Sequence, residues 1–393
     1  MIFGLVGSPN KGKSTFFSAA THTSAEIADY PFTTIKPNMG VSYIARPCPE
    51  VELGVKCKPR NSLCRNGIRQ IPVKIVDVAG LVPGAHLGKG MGNQFLNDLV
   101  EADLLIQVVD LSGQTDLAGN PASGFDPSEE VKMVKEELAS WISEIISRHI
   151  NKISKRDDGV RALTEVLSGF KPTENQVSTA AERCSLPTYR ITWDADAIKA
   201  FSRRFLELNK PIIVAANKLD KSKPGALAEL KKKLAGITVI GCSAAVELAI
   251  RKAEQSGVIE YNANLASDPI KILKEVSQEQ KIAIEYMSRY VSEHGGTGVH
   301  EILDMAAFGV LHEIAVYPVE DENKFTDHFG NVLPDVFLMP SGATALELAG
   351  KIHTDIAANM LYAIDAKKKI RLQKNYMLKD NDVIKIVSAG KKG

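Results

Sequence analysis

Eight residues near the start of the chain, Gly7-Ser8-Pro9-Asn10-Lys11-Gly12-Lys13-Ser14, carry the pattern G-x-x-x-x-G-K-[ST]. The glycines let backbone N–H groups curl inward around a β-phosphate, at a helix N-terminus whose dipole favours anions. Lys13 adds a point charge between β- and γ-phosphates, the Ser14 hydroxyl is placed to ligate Mg²⁺, and Thr15 carries the loop into the helix. Asp77-Val78-Ala79-Gly80 follows an apolar run; Asp77 can hold Mg²⁺ through water and the Gly80 N–H can meet a γ-phosphate. Alone, D-x-x-G means little, and its weight comes from the phosphate loop upstream. Asn217-Lys218-Leu219-Asp220 closes a further run. The Asp220 carboxylate there accepts two hydrogen bonds from the N1–H and 2-amino group of guanine, a donor pair adenine lacks. Cys242-Ser243-Ala244 completes the set: Ser243 shapes the loop, and the Ala244 N–H is expected at the guanine O6. The four elements stand in the correct order, and the base they select is that of GTP.

The elements that must position these residues are short apolar β-rich runs bounded by turn residues: 2–6, 73–78, 104–110, 212–216 and 237–241. With helical patterns at 13–20 and 93–100 between them, they predict the buried strands of a largely parallel, doubly wound α/β sheet. The stretch from Asp110 to Ile212 is too long for a simple crossover. Within it, Val131, Val134, Leu138, Trp141, Ile142, Ile145, Ile146, Ile150 and Ile153 recur at helical spacing. Shorter patterns at 160–167, 174–184 and 196–208 extend a helical insertion at about 126–208, read as an antiparallel hairpin. Its basic cluster Arg148, His149, Lys152, Lys155 and Arg156 either touches RNA or forms a solvated helix face. Helices are predicted at 244–255, 269–293 and 298–314. From Val316 the text turns β-rich, with one helix at 344–355 and a closing strand in Asp382-Val383-Ile384-Lys385-Ile386-Val387, a small α+β unit.

Composition sets limits on partners. Among 393 residues, 48 Lys or Arg stand against 47 Asp or Glu, a formal charge of +1 that excludes a wholesale polyanion binder. An apolar share of 44% and a charged share of 24% belong to a folded chain. At about 150 residues per domain, two or three domains are expected. No apolar run reaches the roughly 18 residues of a membrane span. Met1 leads directly into the first strand with no basic leader, so a cytoplasmic location is expected. Five cysteines, an odd and low number, agree with a reducing compartment. Cys48, Cys57 and Cys64 cluster in one stretch and could hold zinc with one further ligand. Their spacing matches no zinc template, and free thiols are the expectation.

Two linking segments narrow the reading. Asp29-Tyr30-Pro31-Phe32-Thr33-Thr34-Ile35-Lys36-Pro37-Asn38 resembles switch I of the Obg family of P-loop GTPases, and Gly80-Leu81-Val82-Pro83-Gly84-Ala85-His86 through Gly92-Asn93-Gln94-Phe95 resembles its switch II. With the helical insertion and a C-terminal stretch similar to the TGS module, a ubiquitin-like β-grasp, nearly the whole chain resembles an archaeal-type member of the Obg/YchF group. The resemblance implies a G domain over 1–314 and a TGS domain over 315–393. It implies that Thr34, or else Thr33, ligates Mg²⁺ and that the loop from Gly80 to Gly92 orders around the γ-phosphate and relaxes after hydrolysis. YchF proteins carry an altered base-reading box and tend to prefer ATP; the intact box here favours GTP.

Ras-like enzymes orient the attacking water with a Gln after D-x-x-G. Leu81 holds that place, so slow intrinsic turnover is expected, with His86 or Gln107 as substitutes. Asn10 matches the residue that helps hold K⁺ in potassium-activated GTPases, or is simply a good loop residue. The TGS likeness implies docking on the ribosome, rRNA or tRNA, and Lys367, Lys368, Lys369, Arg371 and Lys374 are the densest basic run available for it, unless they are a solvated hairpin. The sequence therefore reads as a GTP/GDP switch acting with the ribosome or its RNA. An ATPase of the same build and a non-catalytic, nucleotide-gated RNA-binding adaptor are the alternatives.

Overall fold

The computed structural model describes residues 1–21, 38–78, 99–262 and 269–389. The switch segments holding Thr33, Thr34, Gly80, Leu81 and His86 lie outside the described residues, as does most of the helix expected at 93–100. In chain order the elements are β1 (Ile2–Val6), α1 (Lys13–Thr21), β2 (Met39–Pro47), α2 (Pro49–Leu53), β3 (Leu63–Arg65), β4 (Ile68–Asp77), β5 (Leu104–Asp110), α3 (Pro127–Ile153), α4 (Gly159–Val166), α5 (Glu174–Arg183), α6 (Ala195–Asn209), β6 (Ile212–Asn217), α7 (Ala226–Lys233), β7 (Val239–Gly241) and α8 (Ala244–Gln255). There follow β8 (Ile259–Tyr261), β9 (Ile270–Ile272), α9 (Gln278–His294), α10 (Val299–Asp304), β10 (Glu313–Val319), β11 (Phe337–Pro340), α11 (Ala345–Ile352), α12 (Thr354–Ala358), β12 (Met360–Asp365), β13 (Ile370–Leu372) and β14 (Val383–Ser388). The chain divides into two compact units, Met1–Ser42 with Lys74–Ile302, and Tyr43–Val73 with Leu303–Gly393. Among the described residues no helix is long and apolar enough to cross a membrane.

The main sheet runs β2-β4-β1-β5-β6-β7, with β3 paired to β4. Strands β4, β1, β5, β6 and β7 are parallel neighbours. All seven residues of β5 are buried, as a strand covered on both faces requires. The chain passes from β1 to β4 on one side and then to β5 on the other, so β1 is the switch point of the sheet. Ligands of open α/β sheets bind in the crevice at such a point, beyond the strand carboxyl ends.

The insertion is more than a hairpin. α3 begins at Asp126, whose side chain accepts the Ser128 N–H, and extends 27 residues, about 40 Å at helical rise. One face buries Val134, Leu138, Ile142, Ile146 and Ile153 in a cluster with residues of α4, α5 and α6. Aromatic rings stitch that core, with Trp141 and Phe170 centroids 5.2 Å apart and Phe170 edge-on to Phe205 at 5.8 Å. Each fully buried phenylalanine here removes enough apolar surface to supply about 2–3 kcal/mol.

The helix expected at 269–293 is corrected. Ile270–Ile272 pairs antiparallel with Ile259–Tyr261, and α9 starts only after Ser277, which forms a capping box with Gln280. The Ile-Lys-Ile alternation suits a pleat, and the capping box sets the later start. The helix expected at 298–314 stops earlier too, because Glu313–Pro340 pairing takes the chain into β10. In the second unit, β11-β10-β14-β12-β13 form a five-stranded mixed sheet in which β10 and β14 are parallel. α11 packs its Leu348 and Ala349 onto that sheet. The expected helix at 344–355 breaks at His353, whose extended backbone separates α11 from α12. Segment 43–73 belongs to this unit through Lys58 N–H to the Val332 carbonyl at 2.8 Å and Arg60 N–H to the Pro334 carbonyl at 2.7 Å.

Candidate functional site

The phosphate loop leaves β1 at the switch point and enters α1. Gly7, at φ +151°, lies so close to β5 that a Cβ would sit 2.5 Å from the Val108 carbonyl oxygen. Gly12, at φ +88°, packs against the Asn217 side-chain amide, where no side chain fits. Asn10 takes the left-handed conformation at φ +62°, which asparagine tolerates. Pro9 and Asn10 are exposed at the loop's tip, and Ser14 is exposed on the first helical turn with Thr15 half-buried beside it.

Lys13 is held at the end of β4. Its ammonium contacts the Asp77 carboxylate and donates to the Val78 carbonyl at 2.7 Å. The pair places the two residues expected to meet phosphate and metal at a single point. Lys11 turns the other way. Its side chain is fully buried and donates to the Thr115 carbonyl (2.9 Å), the Thr115 hydroxyl (3.0 Å) and the Asp116 carbonyl (2.9 Å), with Glu130 Oε2 at 3.3 Å. Only the Lys11 backbone therefore faces a ligand. Glu130 also accepts the Ser8 N–H at 2.8 Å. Burial pushes the Glu130 carboxyl up, against the opposing pull of Lys11 and of the Ser8 N–H. The Asn10 amide nitrogen donates to the Gly119 carbonyl at 2.9 Å, fixing the side chain and leaving its oxygen for other partners.

Two of the segments expected to surround the base meet at Asn217. Its amide nitrogen donates to the Lys11 carbonyl at 3.0 Å, and its amide oxygen accepts the Ala244 N–H at 3.0 Å. One side chain thus joins the phosphate loop, the end of β6 and the loop entering α8. The Ala244 N–H, expected at the guanine O6, is committed to Asn217 here and must exchange that partner to reach a base. Ser243 caps α8 by accepting the Val246 N–H at 3.3 Å. Lys218, left-handed at φ +62°, donates to Asp110 at 2.8 Å and to the Asn10 carbonyl at 3.1 Å. Asp220, on a short 3-10 turn from Leu219 to Lys221, borders a cleft of about 520 Å³ whose other wall carries Tyr286, Arg289 and Tyr290.

Gln107 lies across from Val6 in register, at the start of the phosphate loop, and is fully buried with its amide donating to the Glu130 carbonyl at 3.1 Å. The sequence reading missed Asp110 and Glu130. Asp110 is buried and accepts from Ser112, Thr115 and Lys218. Burial works against its charge, and those hydrogen bonds outweigh it, so its carboxyl lies below the usual range. The signal for Asp110 was its place at the end of β5, directly across from Asn217 in register. Glu130 had none, being 122 residues from Ser8 in the chain.

Residues 2–154 match a family described as 50S ribosome-binding GTPase, residues 215–321 an Obg-like GTPase, YGR210-like, G4 motif-containing domain, and residues 329–388 a TGS domain. A GTP-binding protein of Methanocaldococcus jannaschii is 47% identical over 399 residues, covering 99% of this chain and 100% of its own. A ribosome-binding ATPase YchF of Escherichia coli O157:H7 is 27% identical over 406 residues, with 97% of each chain covered. The crystal structure of a GTP-binding protein from Pyrococcus horikoshii is similar at a TM-score of 0.80 and 37% identity, covering 99% of this chain and 100% of that one.

Proposed function

The chain belongs to the Obg/YchF group of P-loop GTP-binding proteins, and from that premise we propose that it is a Mg²⁺-dependent GTPase switch that works on the ribosome. The observation that carries the reading is Asn217, whose amide ties the phosphate loop to the guanine-reading strand ends in one site. The residues present fit the metal: the exposed Ser14 hydroxyl and the Asp77 carboxylate supply the hard oxygen donors Mg²⁺ prefers. When bound, the ion neutralises charge between β- and γ-phosphates. Thr34 is proposed as its further ligand, and Gly80 as the N–H donor to the γ-phosphate.

Lys13 leaves Asp77 to hold the phosphates, while the N–H groups of Gly12 to Thr15 face the β-phosphate at the start of α1. Asp220 reads the guanine edge, and the stem of Lys218 lies along the base. With Leu81 where a water-orienting glutamine would stand, turnover is slow until a partner or His86 completes the site. The oxygen of the Asn10 amide remains for K⁺. The ribosomal role rests on relatives whose names say that they bind ribosomes. Since those relatives are called ATPases, ATP is the competing substrate.

Phosphate release under multiple turnover, measured for GTP and ATP with and without ribosomes, in K⁺ and in Na⁺, tests the proposal. GTP should be preferred, ribosomes and K⁺ should accelerate it, and Lys13→Ala should abolish it. Asp220→Asn should lower GTP use by about two to four orders of magnitude, the worth of two hydrogen bonds to a charged group at about 1.5–3 kcal/mol each, while raising use of xanthosine triphosphate. A substrate preference unmoved by Asp220→Asn, or release that survives Lys13→Ala, would overturn it.

A further inference from the structure

We infer that Cys48, Glu50, Cys57 and Cys64 form a structural zinc site in the second unit. One ligand atom from each residue lies within 4.8 Å of every other. The Cys48 and Cys57 sulfurs are 4.0 Å apart, and the Cys64 sulfur is 3.1 Å from Glu50 Oε1. Zinc with sulfur at about 2.3 Å in a tetrahedron needs sulfur–sulfur edges of about 3.8 Å. A disulfide needs about 2.05 Å, and all five cysteines are free.

The backbone holds the four residues in place independently of any ion. Cys48 stands just before α2, and its N–H bonds the Gly67 carbonyl at 2.7 Å. Glu50 turns Oε2 to the Cys57 N–H at 2.9 Å, which leaves Oε1 aimed at the sulfurs. A carboxylate steadied in this way by a second hydrogen bond is how metal ligands are commonly oriented. Eight residues separate Cys48 from Cys57 and six separate Cys57 from Cys64, so the spacing conceals a cluster that the fold assembles.

A buried charge points to the same conclusion. Arg69 is fully buried, with guanidinium nitrogens bonding the Ser62 hydroxyl (3.0 Å) and the Leu333 carbonyl (2.9 Å) and lying 3.5 Å from the Cys48 sulfur. Among the described residues no carboxylate stands within ion-pair distance of it. A buried cation is costly without an anion nearby, and the Arg69 charge reaches Glu50, one of the four residues, whose carboxyl burial raises and that charge helps to lower. Three thiolates and a carboxylate around a divalent ion leave excess negative charge, part of which the guanidinium beside Cys48 offsets. Thiolate-rich ligand sets select zinc over magnesium or calcium, and an iron–sulfur cluster takes four cysteines where this site has three.

The test uses the full chain under reducing conditions. It should retain one zinc per chain through gel filtration, and replacement by Co²⁺ should give thiolate-to-cobalt charge-transfer bands with the visible bands of a tetrahedral ion. Cys48→Ser, Cys57→Ser and Cys64→Ser should each remove about a third of the charge-transfer intensity, while Cys184→Ser leaves it unchanged. Glu50→Gln should weaken zinc binding about tenfold or more and keep the full sulfur intensity. The wild-type cobalt spectrum decides even if a variant fails to fold. Absence of that band with excess Co²⁺, together with no retained zinc, overturns the inference, and so does peptide mapping that finds Cys48 and Cys57 joined as a disulfide.

Discussion

Lys11 and Lys13 are two residues apart and do opposite work. Lys13 stays at the end of β4 on Asp77, from which the proposed phosphate would draw it. Lys11 is spent inside, its ammonium tied to Thr115, Asp116 and Glu130 so that the loop is anchored from beneath. Glu130→Ala would leave the Lys11 ammonium without its carboxylate and the Ser8 N–H without an acceptor. Truncating one partner of a buried pair costs about 3–5 kcal/mol, so urea denaturation should show a loss of that order, with nucleotide affinity falling alongside. A change below about 1 kcal/mol would mean that the pair does not anchor the loop. At this scale the eight-residue pattern made the phosphate loop legible. It was silent on which lysine faces inward, because that choice is made by a segment more than 100 residues away.

The loop that enters α8 is held by a small buried network rather than by its own sequence. Glu247 accepts hydrogen bonds from Arg251 at 2.6 Å and from the Thr297 hydroxyl, and the Thr297 carbonyl takes the Ser243 N–H at 2.9 Å. Burial opposes the charge on Glu247, and the His300 hydrogen bond with the positive charge of Arg251 outweighs it, holding the carboxyl at about 2 against an ordinary 4.5. A depressed carboxyl contributes stability that is complete above the unfolded value and is lost as pH falls through the folded one. The loss should therefore run from about pH 4.5 down to about pH 2 and amount to something on the order of 3 kcal/mol. Denaturation curves across that range should be flatter for Glu247→Gln than for the native chain, and equal slopes would remove Glu247 from the account. Elements were legible where one force dominated, as in the fully apolar β5 or the long stripe of α3. The pair β8 and β9 was not, since three-residue strands carry too little pattern to compete with a helical text, and their pairing joins segments eight residues apart in the chain.

Across the whole molecule, the formal charge of +1 conceals local grouping. In the insertion the basic residues are partly spoken for, with Arg148 on Glu144 and Arg156 on Asp158 and Glu165. In the second unit Lys367 pairs with Glu52 and Arg371 stacks on Tyr362; Lys368, exposed on the β12–β13 hairpin, lies 3.6 Å from Asp365, and Lys374 stands exposed beyond it. If ribosome binding runs through this edge, co-sedimentation should weaken steeply with salt. Lys368→Ala with Lys374→Ala should then lower the log–log slope by about 1–2, at roughly 0.7–0.9 for each phosphate no longer neutralised. An unchanged slope would move the binding face elsewhere. The shift in pattern near Val316 falls inside the second unit, which takes up the chain again at Leu303. The membership of Tyr43–Val73 in the second unit was not legible, because it rests on hydrogen bonds to residues beyond 330 that no local pattern announces.

The Asn217 amide has a consequence for how a nucleotide is held. A guanine nucleotide is a bivalent ligand, with a base at one end and phosphates at the other, and the fixed distance between the two half-sites gives the second end a high effective concentration once the first is bound. Asn217→Ala keeps both half-sites but removes the strut between them. Affinity for the whole nucleotide should fall by about tenfold or more, while guanosine alone and pyrophosphate alone, followed by calorimetry, bind nearly as before. Equal losses for the fragments would show that Asn217 touches the nucleotide directly instead of acting as a spacer.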